Sequence, residues 1–187
     1  MAVVWRYPLQ PMPSATGTNV TAAALTSGLG GLPVPQLPPI TMPGSRLVLE
    51  AEGYITSTSS TPTCVLSFYI GSIGQAIGSK TLIAATAALA ISASASSWPF
   101  HMRYSGTFRT LSPSAGVIEG FGIADWWGNV GLTGAGSQNP MPTTFAARTV
   151  STLNTDQVNE LDVGITLSAT TGTPTVNIAD FWAELSG

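Results

Sequence analysis

The stretch WPFHMRYSGTFRT, residues 98–110, limits the fold more than any other part of the chain. Trp98, Phe100, Met102, Tyr104 and Phe108 share one set of alternate positions, and His101, Arg103, Ser105, Thr107 and Arg109 share the other. A period of two puts successive side chains on opposite faces of a strand, whereas a helix would scatter both sets around its axis. Pro99 suits the start of a strand or an edge, because it has no N–H to give to a ladder. The same alternation recurs along the chain. In SRLVLEAEGYITS, Leu47, Leu49, Ala51 and Ile55 oppose Arg46, Glu50, Glu52 and Tyr54. TCVLSFYIG groups Cys64, Leu66, Phe68 and Ile70, and NELDVGITLSA groups Leu161, Val163, Ile165 and Leu167.

The remaining segments follow less cleanly. KTLIAATAALAIS, residues 80–92, is rich in alanine, which favours helix. It is also β-branched at Ile83, Thr86 and Ile91 and lacks charges to solvate a helix face, so it reads as a strand. GVIEGFGIADWW has Gly120 and Gly122 one pleat apart, where another backbone or a large side chain can come close. FAARTVSTLN leads towards the NELDVGITLSA strand, and TVNIADFWAEL closes the chain as a last strand. Residues 56–63, 92–98 and 171–174 are turns or loops by composition, and the polar run 128–144 is a long surface loop. The pattern predicts about eight strands and no amphipathic helix, hence an all-β, jelly-roll-like antiparallel β-sandwich over residues 45–187. No repeat of roughly 20–50 residues is visible, which disfavours a propeller or solenoid.

Residues 1–44 differ. They hold eight of the fourteen prolines and a single charge, Arg6. GLPVPQLPPITMPG, residues 31–44, cannot be helical and is too apolar for an ordinary solvated linker. It reads as an extended Pro-rich N-terminal arm. Proline restricts the free chain and lowers the entropy lost on docking. The candidate partner contacts are Trp5, Tyr7, Leu32, Val34, Leu37, Ile40 and Met42. The competing reading is that the arm folds back along its own sandwich and covers an edge.

Composition excludes several functions. Charged residues are 8% of the chain, against roughly 25% in typical soluble proteins. Serine and threonine take 44 of the 187 positions, so the surface is hydroxyl-rich or is hidden against partners. The net charge of −3 and the scattered basic residues (Arg6, Arg46, Lys80, Arg103, Arg109, Arg148) argue against nucleic-acid binding. The N-terminus MAVVWRYPLQPMP places prolines where a secretory h-region should be, so synthesis in a cytoplasm without export is expected. No apolar run reaches the roughly 18 residues of a membrane span.

The chemical inventory is thin. Cys64, the single cysteine, has no partner for an intrachain disulfide and reads as a buried small hydrophobe. His101, the single histidine, would have to serve any Ser-His or Cys-His pair, yet it lies on the polar face of a strand. The carboxylate pairs Glu50/Glu52 and Glu160/Asp162 each share a strand face and read as solvated outer faces. Glycines occur without a strand-to-helix phosphate loop, no metal-ligand spacing is present, and no cofactor is expected. Trp126 and Trp127 are candidate surface contacts. Adjacent strand residues face opposite ways, so one of the two belongs near the surface, as a protein contact or a sugar-stacking platform.

The order of elements resembles small structural proteins of tailed bacteriophages, of the capsid-decoration or minor-capsid type, particularly those of actinobacterial hosts. CVLSFYIGSIGQAIGSKTLIAATAALAISASASSWPFHMRYSGTFRT carries the resemblance, followed by GVIEGFGIADW, the polar loop, and AARTVSTLNTDQVNELDVGITLSATTGTPTVNIADFWAEL. In that group a strand ending in glycine precedes an Ala/Thr-rich strand, a small-residue loop and a WP-headed strand. The likeness covers roughly residues 45–187 and brings no catalytic motif. It implies a virion component on the capsid surface without enzymatic activity. Its expected partners are the major capsid protein and neighbouring copies of itself, as a trimer by analogy. A tail or baseplate component and a carbohydrate-binding β-sandwich are the alternative readings.

Overall fold

A computed structural model of the chain describes residues 3–6, 15–16, 36–56, 63–90, 97–126, 137–142, 144–167 and 175–187. The expected turns at 57–62, 91–96 and 171–174 lie outside them, as does most of the polar loop. Six long strands make the body. They are β4 (Arg46–Thr56), β5 (Thr63–Ser72), β8 (Trp98–Thr110), β9 (Gly116–Trp126), β12 (Asn159–Leu167) and β13 (Thr175–Ser186). Shorter strands fill in: β1 (Val3–Arg6), β2 (Ala15–Thr16), β3 (Gln36–Leu37), β6 (Thr81–Ala85), β7 (Leu89–Ala90), β10 (Ser137–Met141) and β11 (Thr149–Leu153). Two single 3-10 turns, Ile77–Ser79 and Phe145–Arg148, are the only helical elements among the described residues.

The strands form two antiparallel sheets. The first runs β1-β13-β4-β8-β9-β10, with β11 also on β9 and β2 also on β13. The second runs β3-β12-β5-β6, with β7 on β5. The winding is nested. Consecutive strands β4 and β5 lie in different sheets, and they pair with β13 and β12 in reverse order. That return of the chain on itself is the jelly-roll-like feature.

The alternation in the sequence becomes the core. Leu47, Leu49, Ala51 and Ile55 of β4 face Cys64, Leu66, Phe68 and Ile70 of β5 across the sandwich, and all are buried. Each fully buried Leu, Ile or Phe contributes about 1.5–3 kcal/mol. Phe68 of β5 stacks on Phe181 of β13 with ring centroids 6.1 Å apart, which ties the sheets together through their inner faces. On β9 the inner positions are Ile118, Gly120, Ala124 and Trp126. A Cβ on Gly120 would lie 2.5 Å from the Tyr104 hydroxyl, so the glycine makes room for that ring. The close approach expected of this glycine is thus made both by the backbone of Ser105 and Gly106 and by the Tyr104 side chain of the neighbouring strand.

Cys64 is fully buried, and desolvation pushes its thiol well above the ordinary range. Because the thiolate is the reactive form, Cys64 should resist a thiol reagent in the native protein and react stoichiometrically once urea unfolds it. Titration of the thiol with and without denaturant checks this; rapid labelling of the native chain would place Cys64 outside the core.

Three expectations change. The body does not begin at residue 45. Gln36 and Leu37 pair with Glu160 and Asn159 of β12, and the Ile40 N–H donates to the Thr155 carbonyl at 2.8 Å. Pro38 follows β3 and lacks the N–H needed to extend the ladder beyond Leu37. The polar loop 128–144 contains β10, paired with β9 from Met141↔Gly122 to Ser137↔Trp126. Its sequence SQNPM shows no apolar alternation, and Pro140 is tolerated because β10 is an edge. Finally, Glu160 and Asp162 are buried on the outer side of the second sheet instead of lying on a solvated face.

Candidate interaction surface

The site begins with the small residues of GFGIADW. Gly120, Gly122 and Ala124 point to the inner face of β9, so Phe121 and Ile123 point out. Both are exposed, Phe121 at 58% and Ile123 at 42%. Phe121 stands as a ridge between two shallow grooves. One, of 320 Å³, is lined by Arg46, Arg103, Ser105 and Ile123; the other, of 410 Å³, by Thr107, Arg109, Glu119 and Arg148.

Sheet register gathers arginines that the sequence scatters. Arg46 of β4 lies opposite Thr107 of β8, and Arg103 of β8 lies opposite Ile123 of β9. The turn Phe145–Arg148 brings Arg148 over the Phe121 ring, 5.4 Å from guanidinium carbon to centroid, a cation–π contact. The Arg46 Nε donates to Ser105 Oγ at 2.8 Å, and Arg109 Nε pairs with Glu119 at 3.0 Å. Such exposed pairs are worth little in stability. Their effect is to hold guanidinium groups splayed around an exposed aromatic ring.

The other end of the same face is acidic. Glu52, His101 and Asp125 lie side by side across β4, β8 and β9. His101 Nε2 is 2.8 Å from Glu50 Oε1, and its Nδ1 is 3.7 Å from Asp125 Oδ2. Ligand atoms of Glu50, Glu52 and His101 lie within 4.8 Å of one another, a set that could hold a cation. The Glu50 carboxylate already faces His101 and, at 3.8 Å, Arg103. His101 cannot meet Cys64, which sits in the core of the opposite sheet.

The candidate contacts of the arm separate. Leu37 and Ile40 are buried in this chain's own core and are withdrawn as partner contacts. Apolar side chains splayed between prolines find a buried site on the nearest sheet edge. Trp5 lies in β1, whose backbone pairs with β13 opposite Ala183. Met42 is exposed. Tyr7, Leu32 and Val34 lie outside the described residues. Where described, the N-terminal segment therefore folds back, with β1 and β2 on β13 and β3 on β12.

Trp126 is the member of the tryptophan pair that faces the core. It is 1% exposed and stacks on Phe100, its register partner, with centroids 6.1 Å apart. It is therefore withdrawn as a surface contact, and Trp127 lies outside the described residues. Sequence reasoning missed Phe121 and Ile123. The signal was present: small residues at every second position of GFGIADW leave the large ones for the opposite face.

Comparison with known proteins finds no matching family model. No curated protein matches either. Among solved structures, the PL-14 alginate lyase of Aplysia kurodai aligns over 77% of this chain and 71% of its own, at 9% identity and a TM-score of 0.36. A chain from the structure of infectious bursal disease virus Gx strain aligns over 99% of this chain and 33% of its own, at 8% identity and a TM-score of 0.30. This chain thus spans about a third of that viral chain. Likenesses this distant leave the function to be argued from the chain itself.

Proposed function

We propose that the chain is a structural subunit of a bacteriophage virion, a capsid decoration or minor capsid protein that stabilises the major capsid lattice by burying its outer sheet face against a neighbour. One observation carries this reading: an exposed aromatic, Phe121, set beside Ile123 among Arg46, Arg103 and Arg148. Aromatic residues and arginine are the types enriched at the energetic centres of protein interfaces. The low charge, the hydroxyl-rich composition and the resemblance over residues 45–187 point the same way. The mode of attachment differs from a free adhesive arm, because Leu37 and Ile40 already serve the chain's own core. The partner that fits is a capsid surface presenting carboxylates beside an apolar side chain. Burial of Trp126 removes one of the two sugar-stacking platforms on which a carbohydrate-binding reading rests.

Phe121→Asp tests the reading. It should weaken co-sedimentation with particles stripped of this protein by about thirty-fold, the equivalent of a 2 kcal/mol hot spot. Its unfolding free energy from urea titration should change by less than about 0.5 kcal/mol, because the side chain is exposed in the free subunit. Undiminished sedimentation of the variant would show that this face does not meet the capsid. Native protein bound only along tails would replace the capsid role with the tail or baseplate one.

A further inference from the structure

Lys80 is the only lysine of the chain, and its side chain is 1% exposed. It sits one residue before β6, on the outer side of the second sheet. Strands β6 and β12 flank β5, so the Lys80 side chain must cross β5 to reach β12. Gly71 of β5, opposite Glu160 in register, makes the crossing possible. A Cβ there would lie 2.6 Å from Lys80 Cγ. At the far end, Lys80 Nζ is in direct contact with Asp162 Oδ2 and 3.3 Å from Glu160 Oε2. The Asp162 side chain is 2% exposed and that of Glu160 9%. The Gly74 N–H donates to Glu160 Oε2 at 2.7 Å and fixes that carboxylate beside the pair.

A flexible amine held against a carboxyl group away from water, with a second carboxyl alongside, has the parts of a condensation site. We propose that Lys80 and Asp162 join in an intramolecular amide bond, with Glu160 carrying the proton. Within the contact a proton passes from the ammonium to the Asp162 carboxylate, giving a neutral amine and a carboxylic acid. The Nζ lone pair attacks Cγ of Asp162 and forms the new N–C bond. Glu160 takes a proton from nitrogen and delivers it to the departing hydroxyl; the C–O bond breaks and one water leaves. Amine and acid become amide and water, with no oxidant, reductant or other co-reactant. Fixed geometry supplies the drive, since well-oriented intramolecular partners reach effective molarities of about 10⁵–10⁸ M. The neutral product also replaces a buried ion pair, which is costly to desolvate. The bond would clamp β6 and β12 across β5 and close a chain separation of 82 residues. Like a long-loop disulfide, it would restrict the unfolded chain.

Tryptic mapping of the full-length protein, folded and then denatured, tests this directly. Trypsin does not cleave after an acylated lysine. The expected product is therefore peptide 47–103, uncut at Lys80, joined to peptide 149–187, with a mass one water below their sum. Asp162→Ala should return separate peptides 47–80, 81–103 and 149–187. Glu160→Gln should form the link at least tenfold more slowly. Free peptides at full mass from the native folded protein would overturn the bond, and linkage of Glu160→Gln at the native rate would overturn the role of Glu160.

Discussion

Replacing Trp126 with alanine should lower the stability of the fold by about 3–5 kcal/mol, the usual cost of removing a large aromatic from a packed core. The indole is 1% exposed, it stacks on Phe100, and it ends the inner row of β9. Loss of the ring removes apolar burial and leaves a void that Phe100 and Ala124 are too constrained by the sheet to fill. Urea denaturation followed by far-UV circular dichroism reads the change in midpoint. A loss of less than about 1 kcal/mol would mean that the side chain is not in the core. Any weakening of particle binding by this variant should follow the unfolded fraction. Phe121→Asp, in contrast, should weaken binding while leaving the midpoint in place.

Lys80→Met should be of similar size for a different reason. Methionine keeps a stem to lie across Gly71 but removes the ammonium between Glu160 and Asp162. Breaking a buried ion pair by deleting one partner costs about 3–5 kcal/mol, because the remaining charge is left uncompensated. Loss of the proposed amide bond would add to that. The triple variant Lys80→Met, Glu160→Gln, Asp162→Leu should recover the part of the loss due to uncompensated charge, though not the part due to the amide bond, since replacing a whole buried charge cluster with packed side chains is often neutral or stabilising. The urea midpoints of the two variants check this. Equal loss in both would show that the charges are not what the site depends on.

Strand period carried most of the fold. The inner faces of β4, β5, β8 and β12 appear in the sequence as every second residue, because each of these strands faces one apolar layer. What escaped was non-local. SQNPM has no period and becomes β10 only because the outer edge of β9 is there to pair with. Glu160 and Asp162 look solvated along their own strand, and their burial comes from Lys80, about eighty positions earlier in the chain. The surface patch escaped in the same way. Arg46 and Arg103 are far apart in sequence and meet through the register of β4, β8 and β9, and Arg148 joins them from the turn Phe145–Arg148. Leu37 and Ile40 of the Pro-rich segment were legible as contact residues, but not what they bury against, because a neighbour and the chain's own edge offer the same chemistry.

A reconstruction of the intact particle bears most directly on the proposed role. It should place the sandwich on the head, with the outer face of β9 turned to an adjoining chain and Phe121 and Ile123 buried in that contact. A sandwich absent from the head, or present with Phe121 open to solvent, would contradict it.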